Sequence, residues 1–221
     1  MVAYLIKLVT FLGTNEFTIR LVAVLSTTLV AFLIYKLAAD MFGAQVAEKS
    51  LIIFLLLPIV HAGYIVVTPD SPLILFWALT VYFFYQYMFK EDKKSIYLAG
   101  ITGGCLLLSK YTGVLLFPAL FLFVIMAKEY QVLTQKELYL SLLLVVIVFL
   151  PVVVWNYNYD WASFKFQYSH GVSANQSFSW GRLGEFIGGQ AGIVNPVFFF
   201  GLFYLLISNF KEVLTDKRLQ F

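Results

Sequence analysis

The chain has 221 residues, of which 61% are hydrophobic and only 12% charged, with a formal net charge of +3. A soluble domain needs about a quarter charged residues to cover its surface, so this composition excludes one and points to an integral membrane protein. A single cysteine, Cys105, excludes a disulfide framework or a thiolate metal cluster, and no P-loop, dinucleotide glycine fingerprint or HExxH signature occurs.

Met1 to Leu12 carries Lys7 and is too short to cross a bilayer, so it reads as an interfacial helix. Phe17 to Ala39 is the first clear span, Val46 to Val67 the second and Ser71 to Phe89 the third. Ile96 to Met126 is too long for one simple span. Lysines flank it on both sides, Lys90, Lys93 and Lys94 before and Lys128 and Lys136 after. If both clusters face the cytoplasm, the region crosses twice, with a break at Ser109-Lys110-Tyr111. Leu138 to Trp155 and Ala191 to Ile207 complete a count of about seven spans.

Alternation places Lys36, Lys49, Lys90, Lys93, Lys94, Lys128, Lys136, Lys211, Lys217 and Arg218 inside, against Arg20, Lys110, Lys165 and Arg182 outside. This satisfies the positive-inside rule, and the reverse orientation violates it. The C-terminus is then cytoplasmic. The expected fold is all-α, since lipid leaves no other option for segments of this length. Residues 1–221 read as one transmembrane domain, with a long extracytoplasmic loop over residues 156–190.

Residues suited to chemistry collect on the outer side. Asp70, in VVTPDSPLILF, fits a helix cap before Ser71-Pro72. A carboxylate at a positive helix end is equally placed to contact a ligand. Lys110 interrupts an apolar stretch. It reads either as an interfacial lysine or as an anion site near lipid headgroups, with Gly103-Gly104 and Gly113 permitting close packing around it. Glu16 and Arg20, at i and i+4, read as a structural ion pair with Asn15 as helix cap. The stretch from Trp155 to Phe186 is dense in aromatics and amides. Membrane-interface belts explain Trp155, Tyr157 and Trp161, and sugar binding uses the same chemistry. His170 is a lone histidine in that stretch.

Three segments, GTNEFTIRLVAVLSTTLVAFLIYKLAADMFG, TPDSPLILFWALTVYFFYQ and AGITGGCLLLSKYTGVLLFPALF, together resemble the membrane glycosyltransferases of the protein O-mannosyltransferase-like family. That family includes the aminoarabinose transferases of lipid A and has the C-type glycosyltransferase fold. The resemblance extends to about Phe210. It implies an inner-membrane enzyme of a bacterial or archaeal cell envelope. It implies transfer of a hexose or pentose from a polyprenyl-phosphate donor to an extracytoplasmic acceptor such as lipid A, a glycan or a protein. It also implies that the family's main catalytic acid and an HPP-like stretch fall before Met1, making this chain an internal fragment. Asp70 then matches a supporting, cavity-lining acid. Lys110, with Arg182, matches the donor-phosphate cations, and His170 matches a ligand to a divalent metal. A lipid or solute transporter, a flippase subunit and an inactive truncated scaffold stand as alternatives.

Overall fold

The computed structural model describes residues 1–171 and 179–221; the side chains at positions 62, 64, 65 and 170 fall outside that description. In chain order the helices are α1 (Val2–Val9), α2 (Glu16–Phe42), α3 (Ala44–Leu56), α4 (Pro58–Ile65), α5 (Asp70–Lys90), α6 (Ser95–Ser109), α7 (Leu116–Met126) and α8 (Lys136–Asn158). They continue as α9 (Ala162–Gly171), α10 (Trp180–Val194), α11 (Pro196–Ser208), α12 (Phe210–Thr215) and α13 (Lys217–Gln220). Short 3-10 turns cover Thr10–Leu12, Tyr111–Leu115 and Tyr130–Thr134, and no strand occurs among the described residues.

Three of these helices, α2, α5 and α8, are long and apolar enough to cross a membrane. The expected count of about seven spans is not reached among the described residues, and prolines account for two of the differences. The expected second span is split at Leu57, which is extended (φ −71°, ψ 126°) because Pro58 follows it. The expected last span is split at Asn195, where α10 and α11 meet at a bend of 104°. Pro196 has no amide proton to continue the ladder, and Asn195 adopts φ 80°, ψ 124° and caps Val197 through its side chain at 3.0 Å. The expected break near Lys110 is present: Lys110 is extended (φ −159°, ψ 138°) between α6 and the following 3-10 turn. The segment over residues 156–190, expected as a loop, contains α9 and most of α10.

The framework is a layer of α2, α5, α6 and α8, each packed on the next. Helices α5 and α6 form an antiparallel hairpin, pinned midway by a buried hydrogen bond between Thr80 and Thr102 (3.0 Å). Helix α8 packs on α6 through glycines. A Cβ at Gly100 would lie 2.5 Å from the Ser141 carbonyl oxygen, and one at Gly104 would lie 2.5 Å from Val148 Cβ. Only residues without side chains permit that approach, the small-residue packing common between membrane helices.

At the Lys90 end, Phe84, Tyr87, Ile96, Ala99, Phe123, Val124 and Val132 form the core cluster. Phe221 inserts into it, stacked on Phe84 with ring centroids 6.3 Å apart. Much of the remaining apolar surface faces outward. The most apolar stretch of α8 has mean hydropathy 2.8 and is only 11% buried, as a lipid-facing helix requires, since lipid tails are as apolar as leucine.

Candidate functional site

Two helix ends make the site. Asp70 opens α5, and Lys110 is the residue that closes α6. An acid at a helix N-terminus and a cation at a helix C-terminus are each favoured by the local backbone dipole. The antiparallel register that sets Thr80 against Thr102 brings those two ends together. Lys110 Nζ donates to Asp70 Oδ1 at 2.8 Å. The side chains are 43% and 48% exposed, so the pair contributes little to stability: exposed ion pairs are worth about 0–1 kcal/mol. It is held together while staying accessible, which suits a site better than a strut.

The expected cap role of Asp70 is not what the structure shows. Pro69 occupies the N-cap position, and no side chain caps α5 there. Instead the Asp70 amide donates to Thr68 Oγ1 at 3.3 Å, and the Thr68 hydroxyl faces Asp70 Oδ2 at 3.5 Å. The proline at N-cap leaves the carboxylate free of the backbone and turned to Lys110.

Asp70, Thr68 and Ser71 line a cavity of about 460 Å³, its other walls being Thr27 and apolar residues of α2 to α5. A second apolar cavity of about 450 Å³ adjoins it and shares Val30, Phe54 and Ile74. From the first to the second, the lining moves from Thr27 to Leu37 on α2 and from Asp70 to Tyr82 on α5. The two helices are therefore parallel, and the cavities form one trough along them. The polar groups in the lining are Thr27, Thr68, Asp70 and Ser71 in the first cavity and Trp77 and Tyr82 in the second. A further apolar cavity of about 360 Å³, between α5, α6, α7 and α8, includes neither Asp70 nor Lys110 in its lining.

The other expected site residues are placed as follows. Glu16 and Arg20 form the expected i,i+4 ion pair, and Asn15 caps α2 by accepting the Thr18 amide at 2.8 Å. Arg182 is exposed on α10, which packs against α4, a wall of the trough. His170 ends in α9, but its side chain lies outside the described residues. Among the described residues, no three His, Cys, Asp or Glu side chains cluster as a metal site. No step below passes through a metal.

Sequence reasoning passed over Asn156, Ser163 and Tyr111. Asn156 is fully buried. Its Oδ1 accepts the Ser163 amide and hydroxyl, and Tyr111, next to Lys110 in the chain, meets the Ser163 hydroxyl at 2.7 Å. In the sequence they are polar residues beside aromatics at a span end, which an interfacial belt equally explains.

No curated protein and no solved structure matches the chain. Residues 1–155 match the family described as dolichyl-phosphate-mannose-protein mannosyltransferase. The match covers α1 to α7 and nearly all of α8, hence Asp70, Lys110 and the trough. The chain belongs to this family of membrane glycosyltransferases that draw on polyprenyl-phosphate sugars.

Proposed function

We propose that the trough and the Asp70–Lys110 pair are the donor site of a glycosyltransferase that moves a sugar from a polyprenyl phosphate to an extracytoplasmic hydroxyl acceptor. The observation that carries this reading is that Asp70, paired with Lys110 at 2.8 Å, lines a trough that is otherwise largely apolar. An isoprenoid phosphate has the same form, a charged head on a long apolar tail. The Asp70 end then faces the extracytoplasmic side, in keeping with the distribution of lysines along the chain.

In this reading Lys110 neutralises the donor phosphate, and Arg182 supplies a second cation. The acceptor oxygen attacks the anomeric carbon as its proton passes to the Asp70 carboxylate. The bond from that carbon to the phosphate oxygen breaks, and the electron pair leaves with the phosphate. The donor diester carries one negative charge and the departing monoester about two, so a fixed ammonium binds the leaving group more strongly as the bond breaks. Such a difference between ground and transition state is what accelerates a reaction. Asp70 is a supporting carboxylate: it orients the acceptor hydroxyl and holds Lys110 in place until the phosphate arrives.

The test is transfer of a radiolabelled sugar from a polyprenyl-phosphate donor in proteoliposomes. Label recovered in an acceptor fraction, and lost with Lys110→Ala, supports the reading. Full transfer by Lys110→Ala removes it.

A further inference from the structure

We propose that Tyr111, Ser163 and Asn156 form a positioning relay that fixes Lys110 from the side of α9; the functional weight of this relay rests on the reading of Lys110 as a donor-phosphate group. The direction of each bond follows from the chemistry of the groups. The Val152 carbonyl can only accept, so the Asn156 group 3.0 Å from it is the amide nitrogen. Asn156 Oδ1 therefore faces Ser163 and accepts both its amide (3.1 Å) and its hydroxyl (2.7 Å). Ser163 has one hydroxyl proton, and it goes to Asn156. The 2.7 Å contact with Tyr111 is then a donation from the tyrosine hydroxyl to Ser163 Oγ. The chain of bonds runs one way, from the residue after Lys110 to the fully buried end of α8.

The turn that makes this possible is strained. Asp160 and Trp161 both have left-handed backbone angles (φ 52° and 59°), unfavourable for any residue with a Cβ and markedly so for tryptophan. The Trp161 amide donates to the Asn156 carbonyl at 2.7 Å, so the same asparagine holds both sides of the turn. The Tyr111 ring is set edge-on to Phe149 (6.2 Å) and Phe164 (5.3 Å), which leaves its hydroxyl little freedom. Lys110 itself is extended between two helical segments, its amide donating to the Leu106 carbonyl at 3.3 Å and its carbonyl accepting from the Gly113 amide at 3.0 Å. Tyr111 adds a side-chain restraint one residue away. The aromatic stretch of α9 is thereby tied to the cation that pairs with Asp70.

The relay is tested by the reactivity of the Lys110 amine. Tyr111→Phe and Ser163→Ala each remove one hydroxyl and keep the packing. Acylation of Lys110 in membranes is quantified by mass spectrometry against exposed Lys93 near the opposite end of α6. We expect Lys110 labelling to rise about two- to ten-fold in both variants, the range one net hydrogen bond supports. Lys93 stays unchanged, the melting temperature stays near that of the wild type, and Ser163→Thr restores protection. Unchanged Lys110 labelling in both variants, or a parallel rise at Lys93, overturns the relay. Donor kcat/KM in Lys110→Ala is measured alongside. An unchanged kcat/KM there overturns the phosphate reading, while labelling still decides on the relay.

Discussion

Lys110 and Asp70 are 40 residues apart in sequence, yet their side chains meet at 2.8 Å, with Asp70 in the lining of the trough. Both are half-exposed, so their pairing does not explain their presence as a matter of stability. If each acts on substrate, Asp70→Asn and Lys110→Ala lower transfer on the order of 10²-fold, the cost of losing one preorganised electrostatic group. The swap Asp70→Lys with Lys110→Asp rebuilds an ion pair with its charges exchanged. It is expected to stay inactive while melting like the wild type. Recovery of transfer in the swapped protein, measured with the proteoliposome assay, assigns the pair a structural role only.

Among the described residues, the α6–α8 contact is a close one for which a substitution has a clear sign. A Cβ on Gly104 meets Val148 Cβ at 2.5 Å and the Val145 carbonyl oxygen at 3.1 Å. Neither neighbour is the far end of a flexible chain, so α8 must move. Gly104→Ala is expected to destabilise by about 1–3 kcal/mol, the usual cost of overpacking. The check is the melting temperature in detergent, with Gly184→Ala, where no atom lies within 4 Å, as control. Equal behaviour of the two variants refutes the packing argument.

The residues of the site were legible one by one in the sequence, and their association was not. A charge inside an apolar run is conspicuous because it is costly there, which singled out Asp70 and Lys110. Their contact depends on the register of α5 against α6, fixed by side-chain packing that no local pattern reports. The Glu16–Arg20 pair was legible because i,i+4 geometry is local. The span count went beyond the helices long enough to cross, because hydropathy averages over Pro58 and Pro196, whereas the backbone breaks at each. Asn156 was hidden for a different reason. Polar residues beside aromatics at a span end resemble an interfacial belt, and only the turn into α9 buries this one.

The hairpin between α5 and α6 carries a pH-dependent element of its own. Asp92 accepts the Ser95 hydroxyl at 2.7 Å and the Lys94 amide at 3.1 Å. The Ser95 bond first, and then the Lys94 amide, hold its carboxyl below the usual carboxylate range. A depressed folded-state pKa means that the contribution is complete above the unfolded value, about 3.9, and is lost as pH falls through the folded value. Asp92→Ala should therefore melt below wild type at neutral pH, and the gap should narrow as the pH is taken below 4. Melting curves of both proteins across that range decide it; a gap that does not change with pH rules the linkage out.

The trough makes a prediction about the tail of the donor rather than its head. Ile74 lines both adjoining cavities and is 46% exposed, so a larger side chain there narrows the passage between them. Leu29 on α2 is 49% exposed but lines neither cavity. In Ile74→Trp, a donor with a single isoprene unit, shorter than the helical turn of about 6 Å from Asp70 to Ile74, should keep its kcat/KM. A full-length polyprenyl donor must pass the constriction and should lose about ten-fold or more, within the range that hydrophobic pockets discriminate. Leu29→Trp should change neither. The comparison is internal to each protein, so expression and folding cancel in the ratio. A ratio of long- to short-chain kcat/KM that is the same in wild type and Ile74→Trp places the isoprenoid outside the trough, and leaves Lys110 and Asp70 to be tested by the head-group variants alone.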